Sequence, residues 1–314
     1  MPVLVGTITT PTPTPPGGPT TPARPADPGR PYLLWIAPDG TEVHLTSDDE
    51  LHFALDDWSN VTGVAPVSIV ADPHPRGGSR VRHIQPQPRV MAIPVRVRAD
   101  THMELVQGWR FIGTKFAQTR RLGPGVLRLL RPDGTGRDIL AYYQAGMDGE
   151  PGQGHTWDTA VLSLYCEDPF WRSSQPVSLP YAYLGSAVSY LNPYLTVTPS
   201  NILGSTTAVN DGDVEAWPEW EITGPATGLT ATNDTTGEAF TLTATLTAGQ
   251  VARITTDPPT VRGPGDAIWT DKLSWPGAVL WGLQPGRNDV TFSVAGASSA
   301  TRLVLSYVPR YETA

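Results

Sequence analysis

Apolar and polar positions alternate most clearly from Trp157 to Cys166. Trp157, Thr159, Val161, Ser163 and Tyr165 fall on one side of an extended chain, and Asp158, Ala160, Leu162, Leu164 and Cys166 on the other. Apolar residues on both sides predict a strand at least partly covered on both faces. Asp168-Pro169 then stops the ladder, because proline has no N–H to donate and pushes the residue before it into an extended or turn shape. Phe170 and Trp171 follow, two large rings that need a surface to pack on. A covered strand, a stop and an aromatic wedge near mid-chain predict the end of one domain and an interdomain hinge at Asp168, Pro169, Phe170 and Trp171.

Upstream, residues 32–37 and 41–46 flank Pro38-Asp39-Gly40 and read as a β-hairpin. The polar, acidic stretch 47–59 carries Leu51, Phe53 and Leu55 in alternation. Residues 64–70 read as a strand and 72–79 as a loop. In the strand predicted over 90–98, Ile93, Val95 and Val97 share one face and Arg96 and Arg98 the other. Two arginines on an open face mark either a solvated surface or a basic stripe facing a partner or a channel. Thr101 and Glu104 form a capping box, and Leu105, Trp109, Ile112 and Phe116 recur at helical spacing. Gly108 and Gly113 weaken this helix, so packing against a sheet must hold it. Residues 126–130 and 138–143 form a second hairpin, and 146–154 a loop into the strand at Trp157. Residues 32–171 thus make a compact, β-rich α+β domain with one helix.

Residues 172–212 show weak signals and read as a connector. From 213 to 314 short strands alternate with turns, at 217–223, 229–232, 240–246, 251–255, 278–283, 289–294 and 301–308, the pattern of a β-sandwich. At the other end, residues 1–31 include a Pro/Thr/Gly-rich tract that cannot bury enough apolar surface to fold alone. It reads as an arm or linker, and the segment 3–9 ahead of it could add a strand to a neighbour.

Totals change this picture little. A chain of 314 residues suits two domains. Thirty-one Gly and 33 Pro mark it as turn-rich, and ten Trp argue for packed cores or adhesive interfaces. The net charge of −8 opposes a surface that coats nucleic acid throughout. A lone cysteine, Cys166, excludes an internal disulfide and fits assembly in a reducing cytoplasm. The first ten residues lack a signal-peptide pattern, and no stretch is apolar enough to insert in a membrane.

Candidate chemistry is sparse. The six histidines are scattered, with no HExxH spacing, and neither a G-x-S-x-G elbow nor a phosphate-binding loop occurs. The Asp211-Gly212-Asp213 carboxylates lack the twelve-residue calcium pattern and read as a polar turn. No enzyme, cofactor or metal site is expected. Trp217, Trp220, Trp269, Trp275 and Trp281 cluster in the second half. They serve core packing or, for Trp275 before a Pro-Gly turn, stacking on a glycan.

Taken in order, these features resemble the distal tail proteins of long-tailed, non-contractile bacteriophages. The resemblance rests on the strand that runs into Glu167-Asp168-Pro169-Phe170-Trp171, and on Gly212-Asp213 leading to Pro218-Glu219-Trp220-Glu221-Ile222-Thr223-Gly224. It extends to the Ala248-Gly249 turn before 251–255 and to Leu283-Gln284-Pro285-Gly286-Arg287-Asn288 before a strand. Each motif is short; together they span about 32–310, and the Pro/Thr arm has no counterpart. The resemblance implies a ring-forming N-terminal domain, a homohexamer, and an outward galectin-like β-sandwich. It implies a place at the virion tail tip between the tail tube protein and the tail hub, with DNA passing through the ring without specific binding. Host cell-surface glycans are a further expected contact. The competing class is a carbohydrate-binding module that uses the Trp-rich sandwich.

Overall fold

The computed structural model describes residues 32–46, 52–54, 58–131, 134–148, 155–182, 189–191, 195–196 and 204–314. The arm at 1–31, the 3–9 segment, Leu51, Leu55 and the loop residues 149–154 lie outside the described residues. The fold is β-rich α+β, with two buried apolar clusters.

The unit that holds the first cluster begins with strands β1 (Tyr32–Ile36), β2 (Glu42–His44), β3 (His52–Ala54), β4 (Val67–Pro73), β5 (Ser79–Pro86) and β6 (Arg89–Arg98), of which β4 and β5 stand outside the cluster. Helices α1 (His102–Ala117) and α2 (Thr119–Leu122) follow, then β7 (Gly125–Leu130), β8 (Gly136–Gly146), β9 (Trp157–Cys166) and β10 (Trp171–Ser173). The main sheet runs β2-β1-β7-β8-β9-β6-β3. Long β8 turns a corner: residues 136–141 pair with β7, and 142–146 with β9 across a register shift.

The expected alternation holds. Met91, Ile93, Val95 and Val97 of β6, with Ala160, Leu162, Leu164 and Cys166 of β9, are buried. The capping box is present in full, with Thr101 accepting from the Glu104 amide and Glu104 from the Thr101 amide. Leu105, Ile112 and Phe116 are buried, and Phe116 stacks on Trp35 at 4.5 Å. Gly108 has a packing reason: a Cβ there would sit 3.0 Å from the Val97 side chain, so the glycine sets how closely helix and sheet approach.

The second cluster lies between two sheets. The first contains β11 (Val177–Ala182); a small pair β12 (Ser189–Leu191) and β13 (Leu195–Thr196) follows, then β14 (Ser205–Asn210), β15 (Glu219–Thr223), β16 (Gly228–Asn233), β17 (Glu238–Leu242), β18 (Val251–Thr255) and β19 (Thr260–Arg262). β20 (Gly286–Ala295), β21 (Arg302–Tyr307) and β22 (Arg310–Tyr311) end the chain. One sheet is β11-β21-β15-β18-β19 and the other β14-β20-β16-β17. Trp220 from the first meets Phe240 from the second at 4.8 Å, and both contact Trp281, whose indole N–H donates to the Ala231 carbonyl.

Several expectations need correction. The connector at 172–212 supplies edge strands to both sheets of the sandwich, β11 and β14. Residues 278–283 form no strand; this segment carries Trp281 into the core and makes a single bridge, Ala216 to Leu283. The stretch 72–79 is not simply a loop, because β4 continues to Pro73 and pairs with β5.

Asp39, in the first hairpin turn, accepts from Lys115 Nζ and Gln118 Nε2, both at 2.7 Å, and so ties the turn to the end of α1. These bonds, Lys115 foremost, hold its carboxyl well below the usual carboxylate range. A depressed folded-state pKa contributes stability above the unfolded value of about 3.9 and loses it as pH falls further. Asp39→Asn is expected to lower Tm modestly at neutral pH, with the gap to wild type closing below about pH 4. Thermal melts across pH check this.

Candidate functional site

The segment Asp168 to Trp171 sits where the two apolar clusters meet. The Trp171 ring is fully buried in the first cluster, and its indole N–H donates to the Val61 carbonyl at 3.1 Å. Asp168 gathers three donors: the Phe170 amide (3.2 Å), Arg172 (3.0 Å) and Arg310 from the far end of the chain (2.8 Å). The Arg310 guanidinium lies over Phe170 at 4.8 Å and beside Trp217 at 5.8 Å, and donates to the Glu215 carbonyl. β22 pairs with β10, and β10 with β8, so the chain's last strand extends the first unit's sheet. Arg131 donates to the Ala314 carbonyl, and the Ala65 amide to the Glu312 carboxylate.

Beneath this strap lies Arg89, 1% exposed. Its guanidinium donates to the carbonyls of Pro169, Asn60, Val61, Gly63 and Glu312, at 2.8–3.3 Å. Burial lowers its pKa, against the raising influence of Cys166 and Glu312, yet a guanidinium stays charged in a protein. Nearby Cys166 is fully buried, and burial pushes its thiol up to about 12, an inert group rather than a nucleophile. Sequence reasoning missed Arg89, although a signal existed. It heads the inward-facing row 89, 91, 93, 95, 97, where a cation must find partners.

The second feature is the hairpin β4–β5. Val67, Ile69 and Ala71 lie opposite Pro86, Ile84 and Val81, on one face of the ribbon. The other face carries Ser68, Asp72, Arg80, His83 and Gln85, interrupted by Val70. No other described strand pairs with the hairpin, and Val67, Ile69, Val81 and Ile84 are each about half exposed, at 49–58%. A two-stranded ribbon with a bare apolar face is at best marginally stable by itself.

Residues 211–311 match the family described as the siphovirus-type tail component, C-terminal domain. Dit (gp 19.1) of phage SPP1, described as a paradigm of the hub adsorption apparatus in phages infecting Gram-positive bacteria, matches at TM-score 0.63 and 12% identity. That match covers 90% of this chain and 99% of the other. A chain of the phage P2 baseplate, in its activated conformation with calcium, matches at TM-score 0.52 and 11% identity over 88% and 97% of the two chains. The strontium form of that baseplate gives 0.52 and 11% over 88% and 98%. This chain has the Dit fold. No curated protein matches it.

Within the Dit fold the remaining candidates are dispersed. Arg96 and Arg98 lie on the outer face of β6, beside Trp157 of β9. Arg96 donates to the Thr159 hydroxyl (3.4 Å) and covers the Trp157 ring at 5.3 Å, while Arg98 is exposed opposite Trp157. Val90 and Val161 add exposed apolar surface to that face. Trp275 is 57% exposed, and its indole N–H donates to the Thr270 carbonyl. Among the described residues no group of three or more His, Cys, Asp or Glu could hold a metal, and no helix is long and apolar enough to cross a membrane.

Removing Arg89 leaves five carbonyls without their shared donor. Arg89→Ala is expected to cost about 3–5 kcal/mol in denaturant unfolding. Arg89→Lys should not rescue it, since one ammonium cannot span the same acceptors. Cys166, expected to resist alkylation in the native wild type, should become reactive in both variants.

Proposed function

We propose that this chain is a structural subunit of the tail tip of a long-tailed, non-contractile phage, assembled in the host cytoplasm. Copies join head-to-tail in a homohexameric ring between the tail tube protein and the tail hub, and DNA crosses the ring without specific binding. The likeness to SPP1 Dit over nearly the full length of both chains supports the architectural role. The tail-component match of the C-terminal unit supports it independently.

The observation that carries the assembly is the hairpin β4–β5. A closed ring needs two different patches on each subunit. The apolar face of the hairpin is one. The outer face of β6 and β9, with Val90, Val161, Trp157, Arg96 and Arg98, is the other. Burying four half-exposed Val and Ile side chains contributes on the order of 1 kcal/mol each, and converts an aggregation-prone ribbon into an interface. Asp168, Pro169, Phe170 and Trp171 then serve as the joint that fixes the outward sandwich to the ring.

Light scattering on the whole chain tests this. The wild type should have the mass of a hexamer, and the double variant Ile69→Asp/Ile84→Asp should be monomeric while keeping the near-UV circular dichroism of a packed core. A wild type that stays monomeric at high concentration, or a variant that assembles equally well, would overturn the proposal.

A further inference from the structure

Beside the joint an open groove of about 330 Å³ is bounded by Arg172, Trp217, Glu219, Asp257, Ser306 and Arg310. Its size is at the lower end of the range of about 300–1,000 Å³ that small-molecule sites occupy. The ring-assembly surfaces proposed above use none of these residues.

We infer that this groove binds a neutral saccharide. Trp217 is half-buried, and its indole N–H has no protein acceptor among the described residues, nor is that atom sealed from solvent. Tryptophan in such a position offers both a ring face for the C–H side of a sugar and a donor for a hydroxyl. Glu219 and Asp257 are exposed and form no ion pair among the described residues, so each keeps free acceptor oxygens for sugar hydroxyls.

Charge selects among ligand classes. Arg172 and Arg310 are both paired to Asp168, and Glu219 and Asp257 belong to the same lining. The lining carries two guanidiniums and two carboxylates, so its charges balance. An anionic ligand meets Glu219 and Asp257, and a cationic side chain meets Arg172 and Arg310. A polyol satisfies both signs at once without carrying a net charge into the site. Trp275 lies outside this lining.

The test is titration of the full-length protein with a panel of neutral oligosaccharides (glucan, galactan, mannan, rhamnan and arabinan fragments), followed by calorimetry and saturation-transfer NMR. At least one is expected to bind, with saturation transfer strongest at one ring face. Trp217→Ala should weaken binding by about tenfold or more, and Asp257→Asn by a few fold. The second variant is exposed and isosteric, so it keeps the test valid if Trp217→Ala disturbs the neighbouring Arg310. Trp275→Ala should leave binding unchanged. The inference fails if no member of the panel binds at millimolar concentration. It also fails if binding survives both groove variants, or if an arginine-rich peptide binds the groove while the sugars do not.

Discussion

One buried cation holds the architecture together. The Arg89 guanidinium is removed from water and forms no ion pair among the described residues; five backbone carbonyls surround it instead. Those carbonyls come from three separate places: the 60–63 bend, Pro169 after β9, and Glu312 after β22. A desolvated charge of this kind is tolerable only with every segment in position. Arg89 therefore couples the closing of the first core to the arrival of the C-terminal strap. Arg310, held by Asp168 and lying over Phe170, adds a second link between the same parts of the chain.

This linkage decides how the two units can serve a common role. The last strand of the chain, having left the sandwich, pairs with β10 and lies in the first unit's sheet. Force on the sandwich thus passes through a β-ladder and a buried guanidinium into the α+β core. In the proposed assembly, the hairpin β4–β5 projects from that core, so a rigid joint behind it places the outward domain at a fixed angle to the ring. The groove at the joint adds a concave, charge-balanced surface beside the contact between the α+β unit and the sandwich.

Much of the fold could be read from periodicity. The rows 91–97 and 160–166, the capping box at Thr101 and the stripe Leu105, Ile112 and Phe116 all obey a single local rule, and the structure follows them. What escaped had a local rule broken by a tertiary one. In β5 a bulge separates Val81 and Ile84 by three positions, so the period of two disappears just where the second strand of the hairpin lies. Strand β11 contains Pro180, which a sheet tolerates because β11 is at its edge. Residues 278–283 look like a strand because Ala278, Leu280, Trp281 and Leu283 are apolar, but it is core filling rather than a ladder that demands them. For the candidate site, Asp168-Pro169-Phe170-Trp171 stood out as punctuation plus aromatics. Its partners Arg89 and Arg310 are 79 and 142 residues away from Asp168, and no window of sequence joins them.

The most direct measurement is electron microscopy of the purified chain at high concentration, with averages sorted by symmetry. The account predicts a closed six-fold ring with a central hole, the α+β units touching through the β4–β5 hairpins and the sandwiches on the outside. Isolated particles at every concentration, or assemblies joined through the sandwiches with the hairpins bare, would contradict it.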